Sequence, residues 1–384
     1  YAGKTVAVPA RLEALFSALP LKPLRRLVPR SLVSVQYHMV SDEKLPWVEH
    51  LYSSKTPEQF ERDLVYFKEN WNPVSHDDIV AHVDDERPLP PNAVSLTMDD
   101  GFYECFSVVR PLLLKHGIPC TFFVISGVLD RESMMFRNKT SLCFSKLAEI
   151  SEPGQRTLEA FNDGFGLGAG SLDDIRIWLD GLQFEDEKRI DSACDMLGVD
   201  LEGIIEKKRL YMNSDEIRML HEDGFSIGAH SVHHPRLWLL PSFEQVEREI
   251  VESVESLRSI TGVERTPIAF PFNSGDLSRD GLERLRRDHP QVDLMYDTNN
   301  LMRDRDFIVN RIPADEPSPA AHRGPDVAWT IKRAHALEPL RFLQRRFLRR
   351  GRRGASPHRA EAKTKPKGRA AGRAPGGASE VVET

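Results

Sequence analysis

The chain has 384 residues, 40% of them hydrophobic, enough for one large or two ordinary domains around a sizeable core. No window approaches the roughly 18 uninterrupted apolar residues of a membrane span. The net charge of −6 hides an asymmetry: residues 331–384 carry 15 Lys+Arg against 4 Asp+Glu, net +11, while the first 330 carry 37 against 54, net −17. An acidic body with a basic end suits a solvated globule whose appendage seeks anionic surfaces. With no recognition module visible, nucleic acid is not an expected partner. Cys105, Cys120, Cys143 and Cys194 form neither a CxxC pair nor any zinc-ribbon spacing. Cys105 and Cys120 sit in apolar runs and read as buried small hydrophobes, and a reduced compartment fits. The expected location is the cytoplasm, with the basic end peripheral to a membrane; export stays open because the sequence starts at Tyr1.

In chain order, residues 1–31 read as an amphipathic segment, with Leu and Phe mixed among Lys, Arg and Pro from Leu12 to Arg30. Leu32–His38 is β-rich and apolar, hence a strand. Thr56–Asn70 is a helix with Pro57 at its first position, and Phe60, Leu64, Val65 and Phe67 are placed on one face. The run Ser75-His-Asp-Asp78 is a capping box opening a short helix. Ala93–Met98 is a strand ending at Asp99-Asp100-Gly101, followed by a helix through Lys115 closed by Gly117. Further strands are expected at Cys120–Ile125, Ser226–Ala229, Ile268–Phe270, Val292–Tyr296 and Phe307–Ile312. Helices are expected at Ser214–Asp223, Phe243–Thr261 and Leu277–Arg287. Alternation of this kind predicts a parallel α/β architecture over residues 32–330. Residues 129–210 break the rhythm with helical signals alone and read as an insertion. Residues 331–350 read as a basic amphipathic helix, and residues 351–384 as a disordered tail.

Three clusters carry chemistry. In Thr97-Met-Asp-Asp-Gly101 an apolar strand ends in two carboxylates, so that one can ligate a metal while its neighbour contacts a water. In His230-Ser-Val-His-His-Pro235, His230 and His234 are four apart, and one turn of helix after the strand would set both imidazoles on one side. Neutral imidazoles suit zinc and similar divalent ions; His233 is expected to point elsewhere. In Ile268–Gly275 a strand ends in Pro and then Gly, exposing backbone N–H groups that can act as oxyanion donors. Each cluster alone also reads as an ordinary strand-ending turn.

TMDDG, HSVHHP and PFNSG, in that order, resemble the first three motifs of the polysaccharide deacetylase family (NodB-homology, carbohydrate esterase family 4) over about Leu32–Pro313 without the insertion. The early Tyr37-His38, the run Tyr296–Asn300 and Asn310-Arg-Ile-Pro313 resemble segments of members from exopolysaccharide loci. The resemblance implies a distorted (β/α) barrel of about seven strands. It implies Asp99 as catalytic base and Asp100, His230 and His234 as ligands of a divalent metal, most simply zinc. Two departures stand out. Family members often carry an Arg in the third motif that orients the base; here Ile-Ala-Phe precedes Pro271. Many carry a late Leu-x-His that supplies the acid; none is present, and His38 and His322 are the candidates.

The implied reaction is removal of acetyl from an N-acetylated sugar in a polysaccharide or glycan precursor, lipid-linked glycans included. A backbone N–H near Phe272 would receive the oxyanion. The alternatives are hydrolysis of another non-peptide amide on the same barrel, or a non-catalytic glycan-binding relative. The interleaved Leu, Phe and Arg of the basic helix suit an anionic membrane surface.

Overall fold

The computed structural model describes residues 19–130, 133–151, 154–318 and 324–353, with side chains in the last helix described to residue 343. His322, residues 1–18 and residues 354–384 of the tail lie outside these. Eight parallel strands are present: β1 (Leu32–Tyr37), β2 (Asn72–Pro73), β3 (Ala93–Met98), β4 (Cys120–Val124), β5 (Ser226–Ala229), β6 (Thr266–Ala269), β7 (Val292–Asp297) and β8 (Ile308–Pro313). They run in the order β1-β8-β7-β6-β5-β4-β3-β2, and β1 also pairs with β3 in register from Leu32↔Ala93 to Tyr37↔Met98. That pairing closes seven strands into a barrel, with helices around it. The two-residue β2 hangs beside β3; it is too short, and too rich in Pro, to give a sequence signal.

The period-two alternation of the strands sorts side chains between helix layer and barrel interior. On β1, Val33, Val35 and Tyr37 join the hydrophobic core, while Ser34 and Gln36 are buried on the other face. On β3, Val94, Leu96 and Met98 face the core, and Ser95, Thr97 and then Asp99 follow on the opposite face. Ser95 Oγ donates to Ser34 Oγ at 2.7 Å, so the interior carries a polar column rising toward Asp99.

The helix Pro57–Asn70 begins at a complete Thr56/Gln59 capping box and buries Phe60, Leu64 and Phe67. Val65, assigned to that face from sequence, is 38% exposed. Positions 60, 64 and 67 share a helical stripe, and position 65 lies about 100° around from 64. After Asp-Asp-Gly the chain makes one π turn, Cys105–Val109, before the α-helix Arg110–His116. Pro111 has no N–H to give, which removes one i→i−4 bond at that junction. Gly117 then ends the helix in the left-handed region, φ 63°.

Residues 129–210 hold five α-helices, Phe136–Glu149, Gln155–Phe165, Leu172–Gly181, Glu187–Met196 and Leu201–Lys207. They build a second core around Phe161, Ile175, Leu179 and Ile190, which also takes in Met39, Trp47 and Val48 from the segment after β1. Cys143 and Cys194 lie within it as free thiols, Sγ to Sγ 3.4 Å.

The final helix, Asp326–Arg353, contains Pro339, and the chain divides into compact units ending and beginning at Pro339 and Leu340. In the first unit, Val327, Ile331 and Ala334 pack into the barrel core. Lys55, 1% exposed, lies 3.3 Å from Asp63 and 3.1 Å from Asp326; Tyr37 Oη and the Val327 N–H also donate to Asp63. Burial raises the Asp63 pKa, opposed chiefly by Lys55. Lys55→Met would leave these carboxylates without their cation. Denaturant unfolding is expected to show a loss of about 3–5 kcal/mol, the usual consequence of breaking a buried pair from one side; a loss under about 1 kcal/mol would show that the network does not hold the helix start.

Candidate active site

The site lies at the C-terminal ends of the strands. Asp99 continues the interior face of β3 and is sealed from solvent. Its two carboxylate oxygens accept from Arg311 Nη1 and Nη2 at 2.6 and 2.9 Å. Arg311, on β8, is fully buried, donates also to Thr97 Oγ1 at 2.9 Å, and stacks over the rings of Phe123 and Tyr296. Burial pushes the Asp99 pKa up; Arg311 first, then His230 and His38, outweigh it and hold the carboxyl below its usual range.

Asp100 would point away from Asp99 in a continuing strand. Its φ of 70° turns it back toward the site instead. Asp tolerates the left-handed region better than most side chains. Gly101 follows at φ 73°, where a Cβ would stand 2.8 Å from Val124 Cγ1, so only glycine fits the turn. Asp100 Oδ1 lies 3.3 Å from His230 Nε2 and 3.4 Å from His234 Nε2, and its Oδ2 accepts from Tyr52 Oη at 2.6 Å.

His230 Nδ1 donates to the Ala269 carbonyl at 2.9 Å, which sets the ring with Nε2 facing Asp100. The segment after β5 is not the turn of helix expected from the four-residue spacing. Ser231 and His234 take positive φ, 61° and 58°, and Ser231 Oγ accepts from the His234 N–H. This tight loop brings the two rings to 4.9 Å. Burial pushes the His234 pKa down to about 3, which keeps the ring neutral. His233 turns away, bonded to Glu249 at 2.7 Å and stacked on Phe184.

Ligand atoms of Asp100, His230 and His234 lie within 4.8 Å of one another, and all three residues are buried. Asp100 Oδ1 and His234 Nδ1 have no hydrogen-bond partner among the described residues. A sealed, unpartnered carboxylate oxygen facing two imidazole nitrogens is the donor set that a divalent cation satisfies.

His38, just past β1, bonds through Nδ1 to Asp315 Oδ2 at 2.7 Å, and its backbone N–H donates to Asp315 Oδ1 at 2.8 Å. Its ring stacks on Tyr52, centroids 4.2 Å apart. Burial lowers its pKa, but Asp315, with Asp100 and Asp99, raises it further, to about 9. Phe272, at φ 60°, places its ring 5.0 Å from His234, and its carbonyl accepts from Thr298 Oγ1. Asp297 ties that loop down by accepting from the N–H and hydroxyl of Ser274 and from the Thr298 N–H. Tyr52, Arg311 and Asp315 had no role in the sequence reading, and each reaches the site through tertiary contact alone.

The family model for polysaccharide deacetylases matches residues 188–287, a stretch that holds both histidines and the Phe272 loop. Asp99 and Asp100, outside that stretch, are brought to it by the fold. Over those residues the chain resembles polysaccharide deacetylases. No curated protein matches the sequence. Among solved structures, the chain is similar to IcaB from Ammonifex degensii (16% identity, TM-score 0.49, covering 78% of this chain and 97% of that one). It is also similar to the Streptococcus pyogenes deacetylase PplD in complex with acetate (15%, 0.48, 78% and 97%) and to a de-N-acetylase from Aggregatibacter actinomycetemcomitans (14%, 0.48, 76% and 97%). At these identities and scores the likenesses bear on neither substrate nor residue roles.

The His38–Asp315 pair has a measurable consequence. With its pKa raised, His38 is charged below about 9 and neutral above. The stabilisation from the ion pair is therefore complete below the ordinary histidine pKa and fades as pH rises through the folded value. Asp315→Asn should move the His38 titration, followed by NMR, at least one unit toward acid; an unmoved midpoint would show that Asp315 does not set the charge.

Proposed function

We propose that this polysaccharide deacetylase-type hydrolase is a metal-dependent N-deacetylase that removes acetyl from an N-acetylated sugar in a polysaccharide or lipid-linked glycan. The observation that carries the reading is the division of labour between adjacent carboxylates: Asp99 locked by Arg311, Asp100 turned onto His230 and His234. A divalent ion held by Asp100, His230 and His234, zinc by the nitrogen and oxygen donor set, would polarise the acetyl carbonyl and acidify a water there. Asp99, kept ionised by Arg311, accepts the proton of that water. Arg311 aims the base, the part otherwise supplied by an arginine of the third motif. A backbone N–H at Phe272 receives the developing oxyanion. His38, charged through Asp315, donates the proton that the leaving amine needs. Tyr52 holds Asp100 and carries the His38 ring.

Two variants test these assignments together. His234→Ala should lose bound metal, by elemental analysis, and acetate release from N-acetylated glycans. Asp99→Asn should keep the metal and lose roughly 10²–10⁴-fold in turnover. Full metal in the first or near-normal rate in the second would overturn the corresponding role.

No described helix is long and apolar enough to cross a membrane. The second unit exposes Leu340, Phe342 and Leu343 on a helix whose sequence adds Arg341, Arg345, Arg346, Arg349 and Arg350. Exposed apolar residues among arginines favour reversible attachment to anionic lipid, each Arg near the surface adding about 1 kcal/mol. Full-length protein should co-sediment with anionic vesicles and a chain ending at Pro339 should not; equal binding by both, or by neither, would contradict attachment through this segment.

A further inference from the structure

Next to the Asp100, His230 and His234 set stands a cation without an anion of its own. Arg236, in the loop after β5, is 8% exposed. Its guanidinium lies 4.9 Å from the centroid of Phe272, the ring that is 5.0 Å from His234. Among the described residues no carboxylate comes within ion-pair distance of it. The charges that bear on it are Arg137, which repels it, and Asp180, which attracts it. Asp180 is already engaged: one of its oxygens accepts from both terminal nitrogens of Arg137, each at 3.1 Å. Arg137 belongs to the first helix of the insertion, so two arginines from separate elements lie near a carboxylate that only Arg137 engages. This local positive excess sits in a body whose first 330 residues are net −17.

A largely buried guanidinium with no counter-charge is a standing cost, and a ring face compensates only part of it. The protein's own carboxylates do not relieve the cost. A substrate that delivers an oxyanion would, through charge-assisted and planar contacts that suit carboxylate or phosphate. We propose that Arg236, with Arg137 behind it, is a subsite for an anionic group carried by the glycan beside the acetylated sugar. The chemistry is shared by the carboxylate of a uronic acid and by a sugar phosphate. This subsite rests on reading the neighbouring site as that of an N-deacetylase, and it makes the substrate an acidic glycan.

The test is calorimetric binding to the full chain after chelation, so that no turnover intervenes. Two probe pairs are compared: a hyaluronan tetrasaccharide against chitotetraose, and N-acetylglucosamine 6-phosphate against N-acetylglucosamine. At least one anionic probe should bind about tenfold or more tightly than its neutral counterpart, with an advantage that shrinks as salt is raised. The pair showing the advantage identifies carboxylate or phosphate. Arg236→Gln should abolish most of that advantage, Arg236→Lys should restore part of it, and Arg137→Gln, on a part-exposed side chain, should weaken it if Arg236→Gln fails to fold. Equal affinities within both pairs in the wild type, or an advantage untouched by both glutamine variants, would overturn the subsite. Acetate release after metal is restored is scored separately. An anion preference without acetate release from any probe counts against the deacetylase reading while leaving the subsite standing; acetate release without anion preference does the reverse.

Discussion

The two-armed contact between Arg311 and Asp99 is the interaction on which the rest of the site depends. It joins the last strand to the end of β3 across β1, so it can exist only once the barrel has closed. It fixes the direction of one carboxylate and keeps it ionised in a position sealed from water, where an unpaired acid would take up a proton instead. With Asp99 held, the left-handed Asp100 is free to serve the histidines. Asp100, Ser231, His234 and Phe272 are all non-glycine residues at positive φ, and all belong to this one site. Backbone of that kind persists only where the surroundings over-determine it. The closed sheet beneath and the Asp297 hydrogen bonds beside it supply that determination.

The insertion bears on the site through the segment after β1. Asn138 and Ser141, on its first helix, donate to the carbonyls of Trp47 and Pro46, each at 2.7 Å. Tyr211, just past the insertion, donates to Asn138 and stacks on Phe102. The segment so held carries Tyr52, whose hydroxyl bonds Asp100 and whose ring lies on His38. A change within the insertion therefore has a short mechanical route to Asp100 and to the candidate acid. It also supplies Arg137, giving it a route to substrate choice.

What sequence reading could see follows from distance along the chain. Asp-Asp-Gly and the two histidines announce themselves because each motif is contiguous and closes an apolar strand. The helix caps at Thr56 and Ser75 are local chemistry as well. The strand expected at Ile268–Phe270 is found at Thr266–Ala269, because a Pro within a short run blurs the pattern. The family resemblance puts the orienting arginine in the third motif, but here the arginine on Asp99 stands 212 residues from it, and His38 stands 277 from Asp315; neither pairing has a spacing rule. One signal is present: Arg311 stands in a strand where every other residue but Asn310 is apolar, and a charge at a position that must be buried requires a partner. Reading β1 with period two likewise carries its interior face from Ser34 and Gln36 to His38.

The central claim is that Asp100, not Asp99, joins the two histidines in holding one divalent ion, while Asp99 stays on Arg311. The most direct measurement is a crystal structure of the metal-loaded chain with anomalous diffraction recorded at the metal's absorption edge. The account predicts a single strong peak, about 2.0–2.2 Å from an Asp100 carboxylate oxygen and from Nε2 of His230 and His234, with Arg311 still spanning both oxygens of Asp99. A peak ligated by Asp99 with its arginine displaced, or a metal bound away from these residues, would contradict it.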